Sequence, residues 1–399
     1  MKYKDLSEFV KARKRIRNIV WPVILLHMLN HVIAGAMPIF YPIIINEFSL
    51  SYAQLGLVRS AYTFAAGFPQ MFVGFLRRWF SSRALVGIGN LINSIMNIVA
   101  AFSRNFLHFL GFRILGGIGS SAQHPVGASI ISSATDDSMR GRMLGLNQAV
   151  PSLAFSFTPL IAAYLLTITG WRTTLTILSF PSLILAVILI LFMKGTESTE
   201  TTTKDALNWS KLNKSLKNRN VLAISLLRST MAFRMGVRTF LPLFFIDVIG
   251  FTPETSSILY SVLLFGGVFG PFFWGYVSDK MNRKILIIGI MGASALGYLL
   301  LNYLTGFWSF TLILFIIGFM VQTVIVQSIL SESVDKDQLD QVFGFYFTIG
   351  FTIASFSSII FGYIIELFGF NWGFTYIATI TVISILPAFF IQEPRKNSH

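Results

Sequence analysis

The sequence predicts an all-α membrane protein with twelve transmembrane helices in two six-helix pseudo-repeats. Three observations point there. Of the 399 residues, 54% are hydrophobic and only 12% charged, roughly half the charged share of a soluble domain. Apolar stretches long enough to cross a hydrocarbon core as helices recur along the whole chain. The second half also repeats the first at an offset of about 200 residues, as tandem architectures do.

The stretches run over 18–44, 53–76, 84–103, 106–133, 142–168, 172–193, 221–246, 254–278, 285–304, 307–331, 341–365 and 372–391. Bare backbone polar groups are too costly in lipid for anything but helices in runs this apolar. In the first half, Tyr41-Pro42 through Glu47-Phe48 opens a turn, and the next run reaches Gly74. Leu241-Pro242 through Asp247-Val248 does the same before a run to Gly275, and Gly145 and Trp171 are answered by Gly344 and Trp372. The expected organisation is a six-helix bundle over 1–193, a polar, Thr-rich linker over 194–220 and a second bundle over 221–399. Parallel membrane repeats place a binding site at the midplane, where halves meet and rock, which points to moving a solute rather than transforming it.

The net charge of +14 could suggest nucleic acid, but its placement argues against that. With the N-terminus inside, 24 of the 31 Lys and Arg fall in inner segments and only Arg104 and Arg172 in outer loops. That bias predicts a multi-pass cell-membrane protein with both termini cytoplasmic. Lys11, Arg13, Lys14, Arg15 and Arg17 are expected against anionic lipid headgroups. No cleavable signal peptide is evident, because the first apolar run is long and lacks a small-residue cleavage site. The absence of cysteine excludes disulfides and thiolate metal sites. No nucleotide-binding glycine loop, metal-ligand cluster or catalytic domain is apparent. The chain is therefore expected not to be an enzyme and to use no cofactor; it is expected to be a monomer.

Between the eighth and ninth spans lies Gly275-Tyr-Val-Ser-Asp279-Lys280-Met-Asn282-Arg283-Lys284. An acid after glycine followed by a basic cluster resembles the loop signature of the major facilitator superfamily. By that resemblance Gly275, Asp279 and Arg283 form a gating latch. Physically, glycine permits close helix approach, and Asp279 can meet a helix N-terminus or a basic side chain. The first-half counterpart, Gly74 through Arg83, carries Arg78 where the family's aspartate is expected, so the latch is assigned to the second half only.

The fourth span carries Arg113-Ile-Leu-Gly116-Gly117-Ile-Gly119-Ser120-Ser121-Ala-Gln123-His124-Pro125. Together with His27-Met-Leu-Asn30, Tyr41-Pro42, Glu47 through Gly56, Gly145-Leu-Asn147-Gln148 and Pro159-Leu160, it resembles the fosmidomycin-resistance-type branch of that superfamily. The resemblance covers most of residues 25–165. It implies a major facilitator fold and alternating access, with spans 1, 4, 7 and 10 lining the central cavity. Two departures bear on coupling. His31 and Val126 stand where the branch carries acids, so its proton chemistry is not inherited directly. Pro159 is followed by Leu-Ile-Ala-Ala rather than a glycine pair, which weakens an antiporter reading.

Charges at mid-membrane are functional candidates by default. Here they are His27 and His31 on span 1, Arg113 and His124 on span 4, and Arg228, Arg234 and Arg238 on span 7; span 10 adds Gln322 and Gln327. His27 and His31 share one helix face, as do Arg234 and Arg238. No Asp or Glu lies deep in any span. The predicted substrate-binding set is His27, His31, Arg113, His124, Arg234, Arg238, Gln322 and Gln327, with His27, His31 and His124 as proton-coupling candidates. The middles of spans 1 and 7 are expected to face each other across the cavity.

Structural roles compete at several positions. Arg113 could bond helix-end carbonyls, Arg228 could snorkel along its helix, Arg59 could cap a vestibule, and His124 could bond a carbonyl freed by Pro125. A cationic lining without carboxylates calls for an anionic counterion, and guanidinium suits carboxylate or phosphate. The predicted function is secondary active or facilitative transport of a small organic solute, of anionic class, with H+ as a candidate coupling ion. Proton-coupled drug or toxin efflux is the alternative, and a non-transporting membrane sensor is a third class.

Overall fold

The computed structural model describes residues 13–77, 79–192, 213, 215–335 and 338–392. The basic residues before Arg13, Arg78 and most of the expected linker lie outside the described residues. Every regular element among the described residues is helical. The first half holds α1 (Trp21–Phe48), α2 (Tyr52–Gly67), α3 (Ser82–Ala100), α4 (Phe106–Ser120), α5 (Gln123–Ala134) and α6 (Asp137–Phe192). The second holds α7 (Arg219–Ala232), α8 (Met235–Leu243), α9 (Pro253–Ser278), α10 (Arg283–Leu300), α11 (Phe307–Phe319), α12 (Thr323–Glu332), α13 (Leu339–Phe368) and α14 (Phe370–Ile383). Eight stretches among the described residues are long and apolar enough to cross a membrane.

The internal repeat reappears in the backbone. Gly170 (φ 77°) interrupts α6, which is therefore two helices, and its counterpart Gly369 (φ 83°) separates α13 from α14. Gly250 (φ 79°) and Ser49 (φ 50°) likewise occupy the left-handed region at equivalent turns. Glycine reaches that region without steric penalty, whereas Ser49 is the unusual member.

The expected fourth, seventh and tenth spans are each broken in the middle. Ser121 and Ala122 separate α4 from α5, Phe233 and Arg234 separate α7 from α8, and Met320 to Gln322 separate α11 from α12. A break frees carbonyls that need partners inside the protein. At the tenth span, Trp274 Nε1 donates to the Phe319 carbonyl at 2.9 Å, and Ser294 Oγ donates to that of Met320 at 3.2 Å. At the fourth, Ser121 Oγ donates back to the Ile118 carbonyl at 2.7 Å.

The chain packs as two compact units, Met1–Ile43 with Ala61–Ala206, and Ile44–Ser60 with Leu207–His399. In the first, Val20, Val23 and Ile24 of the α1 region pack with Val86 of α3, Val126 and Ile130 of α5 and Leu189 of α6. In the second, Ile224 and Leu227 of α7 pack with Ile287 of α10, Ile325 and Ile329 of α12 and Tyr346 of α13. Residues 44–60 join the second unit through specific contacts. The Ala53 N–H donates to Glu366 Oε2 at 2.8 Å, the Ile359 N–H donates to Ser60 Oγ at 3.0 Å, and Gly56 lies against the Ser358 carbonyl. Tyr52 Oη also reaches Asp247 Oδ2 at 3.4 Å. Burial raises the Asp247 carboxyl above its ordinary range despite that hydrogen bond.

Inside the first unit α3 and α4 cross at two glycines, each backed by the other's carbonyl. Replacing helical glycine by alanine ordinarily stabilises by about 1 kcal/mol. Gly119→Ala should reverse that sign, because its methyl would meet the Gly89 carbonyl and Asn93 nitrogen. Gly145 has open space around it. In a detergent melting experiment Gly119→Ala should lower the transition by several degrees, with Gly145→Ala unchanged or raised; equal behaviour would contradict the crossing.

Candidate functional site

Each unit carries a buried polar centre. In the first, Asn90, Asn93, Ser94 and Asn97 recur along one buried face of α3. Side chains three and four residues apart meet on a helix face, so these amides form a ladder. Asn97 Nδ2 donates to Asn93 Oδ1 at 2.9 Å, and Asn93 Nδ2 donates to Asn30 Oδ1 at 2.8 Å. Asn30 Nδ2 donates to Asn90 Oδ1 at 2.5 Å, and Asn90 Nδ2 donates to Gln123 Oε1 at 2.7 Å. The ladder thus ties α3 to α1 and α5. At its far end Arg113 Nη1 donates to Asn97 Oδ1, and the guanidinium carbon stands 4.2 Å from the Tyr62 ring centroid. Arg113 is 1% exposed, so its charge serves the inside of the unit.

The ladder positions three histidines. His27 and His31 stand one turn apart on α1, and His124 opens α5 immediately after the break. Ring centroids lie 4.9 Å apart for His27 and His31, 4.7 Å for His27 and His124, and 6.2 Å for His31 and His124. The interplanar angles are 78°, 89° and 82°. Phe155 of α6 closes one side, edge-on to His31 at 5.9 Å. His27 Nδ1 lies 3.1 Å from Asn147 Oδ1. His27 is buried, His31 half-buried and His124 exposed.

The second unit's centre is cationic. Arg234 sits at the break, capping the start of α8, and Arg238 lies one turn further along. Arg234 is in electrostatic range of Arg228, Arg238 and Tyr298. Gly236 lets α8 approach α13 at the Ser357 carbonyl, where any side chain would collide. Arg228 packs inward instead of running along its helix: it lies against Gly350, with its guanidinium carbon 5.3 Å from the Tyr346 ring centroid. Gln322 caps the start of α12, is fully buried and donates to Met231 Sδ at the end of α7. Its Oε1 has no partner among the described residues. Gln327 lies half-buried further along α12. Among the described residues no carboxylate pairs with Arg228, Arg234 or Arg238.

At the predicted latch, Gly275 packs near Val324 of α12, and Asp279 ends α9. Arg283 forms an ion pair with Glu332 at 2.7 Å, joining the start of α10 to the end of α12. The sequence expectation did not include Glu332 in the latch. It also missed the asparagine ladder, although the i, i+3, i+4, i+7 spacing of Asn90, Asn93, Ser94 and Asn97 within an apolar span was visible.

A family model described as Major Facilitator Superfamily matches residues 23–358 and again 250–399. The fosmidomycin resistance protein of Escherichia coli (strain K12) is 22% identical over 392 residues, covering 97% of this chain and 96% of that protein. A probable L-galactonate transporter of Escherichia coli (strain K12) is 23% identical over 314 residues, covering 72% and 69%. Among solved structures, a bacterial homolog of the human lysosomal transporter Spinster, inward-facing and occupied, superposes with a TM-score of 0.79. Its identity is 16%, and the match covers 93% of this chain and 95% of that one.

Removing one partner of a buried hydrogen bond leaves the other unsatisfied, at about 1–3 kcal/mol. Asn97→Leu should strip the acceptor from Arg113 and end the ladder. Its melting temperature in detergent should fall markedly, and Arg113→Leu in the same background should cost less than it does alone. Full additivity of the two changes would contradict the coupling.

Proposed function

The chain belongs to the Major Facilitator Superfamily, and from that premise we propose that this membrane solute transporter moves a small organic anion by alternating access, held by Arg234 and Arg238. The observation that carries this reading is the cationic centre of the second unit, with three arginines and no paired carboxylate among the described residues. Arg228, Arg234 and Arg238 are half-buried; charge partly withdrawn from water without a counterion is unfavourable, and a bound anionic solute offsets that cost. Guanidinium groups bind carboxylate, sulfonate or phosphonate through paired donors. The name of the L-galactonate relative describes a carboxylate, and fosmidomycin is itself a phosphonate.

Gln322, with its buried unpaired acceptor, adds a hydrogen-bonding contact to the solute, and Gln327 a second one along the same helix. His27, His31 and His124 supply the first unit's polar contribution and are the candidates for a coupling proton. Arg113, held by Asn97 and Tyr62, sets the field of that unit. Gly275, Asp279 and Arg283, with Glu332, form the corner whose opening accompanies the change of state. Breaks in three helices provide the bending points such a change requires. The reading includes twelve transmembrane helices, a monomer in the cell membrane, both termini and the 194–220 linker in the cytoplasm, and the basic N-terminus against anionic lipid. Drug efflux remains a second reading, favoured by the fosmidomycin-resistance relative.

Proteoliposomes should show saturable uptake of organic anions, and Arg234→Gln should weaken anion binding roughly tenfold to a hundredfold, as loss of a charge-assisted hydrogen bond does. Competition by lipophilic cations that is untouched by Arg234→Gln would overturn the anion assignment and support efflux. The chain has no cysteine, so single cysteines at Lys204 and Glu47 are clean topological probes. They should react with impermeant reagents from opposite sides of the membrane; reaction from the same side would contradict the orientation.

A further inference from the structure

We propose that His27, His31 and His124 form an exchangeable binding site for one divalent transition-metal ion of the zinc class. The first support is geometric. One nitrogen from each ring lies within 4.8 Å of the others. An imidazole lone pair lies in its ring plane, so a shared metal must sit in all three planes. The three rings stand steeply to one another, at 78°, 89° and 82°, with their centroids 4.9, 4.7 and 6.2 Å apart. Zinc–nitrogen bonds are about 2.0–2.1 Å, so small side-chain rotations bring the nitrogens to coordinating separation.

The second support is an orphaned atom. His27 is 1% exposed, and its Nε2 is buried with no hydrogen-bond partner among the described residues. Asn147 Oδ1 lies 3.1 Å from Nδ1; the tautomer that donates to it carries its proton on Nδ1 and leaves Nε2 as a bare lone pair. An outer amide or carboxylate that fixes the tautomer and swivel of a ligating histidine is a recurrent part of metal sites. A buried acceptor without a donor is unfavourable, and a cation bound at Nε2 satisfies it.

The ligand chemistry selects the ion. Three neutral imidazoles suit zinc, cobalt, nickel or copper and disfavour magnesium and calcium, which take oxygen. Three protein ligands leave a fourth position for water or an anion, the pattern of open rather than structural sites. Exposure of His124 gives the ion a route in and out. The metal site is independent of anion recognition at Arg234 and Arg238, but a bound ion occupies the histidine lone pairs that a coupling proton would use, so metal binding and proton carriage at these histidines are alternatives.

The test is a Co2+ titration of the full chain, purified in detergent without a histidine tag. One Co2+ per chain should bind, with the intense visible absorption of a four- or five-coordinate site, displaced by Zn2+ but not by Mg2+ or Ca2+. His27→Gln, His31→Gln and His124→Gln should each weaken binding at least tenfold, Asn147→Leu should weaken it about tenfold as a second-shell change does, and His108→Gln should leave it unchanged. X-ray absorption at the cobalt edge of the wild-type protein should show three imidazoles, which keeps the proposal testable if a variant misfolds. Absence of saturable binding by the wild type, an oxygen-only coordination shell, or undiminished binding by folded His31→Gln would overturn it.

Discussion

The structure depends on one constraint: a polar side chain inside an apolar helix must find its partner within the protein. In α3 this constraint is met by a continuous ladder through Asn90, Asn93 and Asn97, which reaches Asn30 on α1, Gln123 on α5 and Arg113 on α4. Each amide in the ladder donates to the next acceptor, so removing any rung exposes two others. Such networks are demanding, because partial satisfaction in a low-dielectric interior is worse than none. The reward is precision. Gln123, which closes the ladder, is the immediate neighbour of His124, so the histidine centre inherits its placement from the asparagines.

The second unit solves a related problem differently. The positive charges of Arg228, Arg234 and Arg238 are gathered near a break between two short helices rather than spread through a neutral ladder. Arg228 packs on Tyr346 and Gly350, whereas Arg234 and Arg238 have no carboxylate partner among the described residues. Breaks at the fourth, seventh and tenth expected spans put His124, Arg234 and Gln322 at or beside helix starts. A helix N-terminus presents unpaired N–H groups and a positive partial charge. Polar side chains and backbone donors therefore converge at the same three places, although each break has its own local carbonyl partners.

Much of this was legible in the sequence. The helical membrane class followed from hydropathy, and the two-fold repeat from Gly145 and Gly344, Trp171 and Trp372. Clustering of His27 with His31 and of Arg234 with Arg238 followed from helical spacing alone. The approach of His124 to both α1 histidines did not, because it depends on how α5 packs against α1. The helix breaks were equally hidden. Met320-Val321-Gln322 carries neither glycine nor proline, and its departure from the helix is supported by Trp274 and Ser294, distant in sequence. Glu332 as the partner of Arg283 was missed for the same reason: the pair spans 49 residues. The α3 asparagines were a different case, since their period was visible and only their importance was overlooked.

We propose that the cationic centre of the second unit recognises an anion. A melting-temperature screen of the purified transporter against organic carboxylates, sulfonates, phosphonates, neutral sugars and lipophilic cations tests it most directly. A ligand at free concentration L that binds the folded state stabilises it by RT ln(1 + L/Kd) and so raises its melting temperature. Members of the anionic classes alone should stabilise it, an effect lost on neutralising Arg234 and Arg238 together. Stabilisation by cations or sugars, with the anions inert, would contradict it.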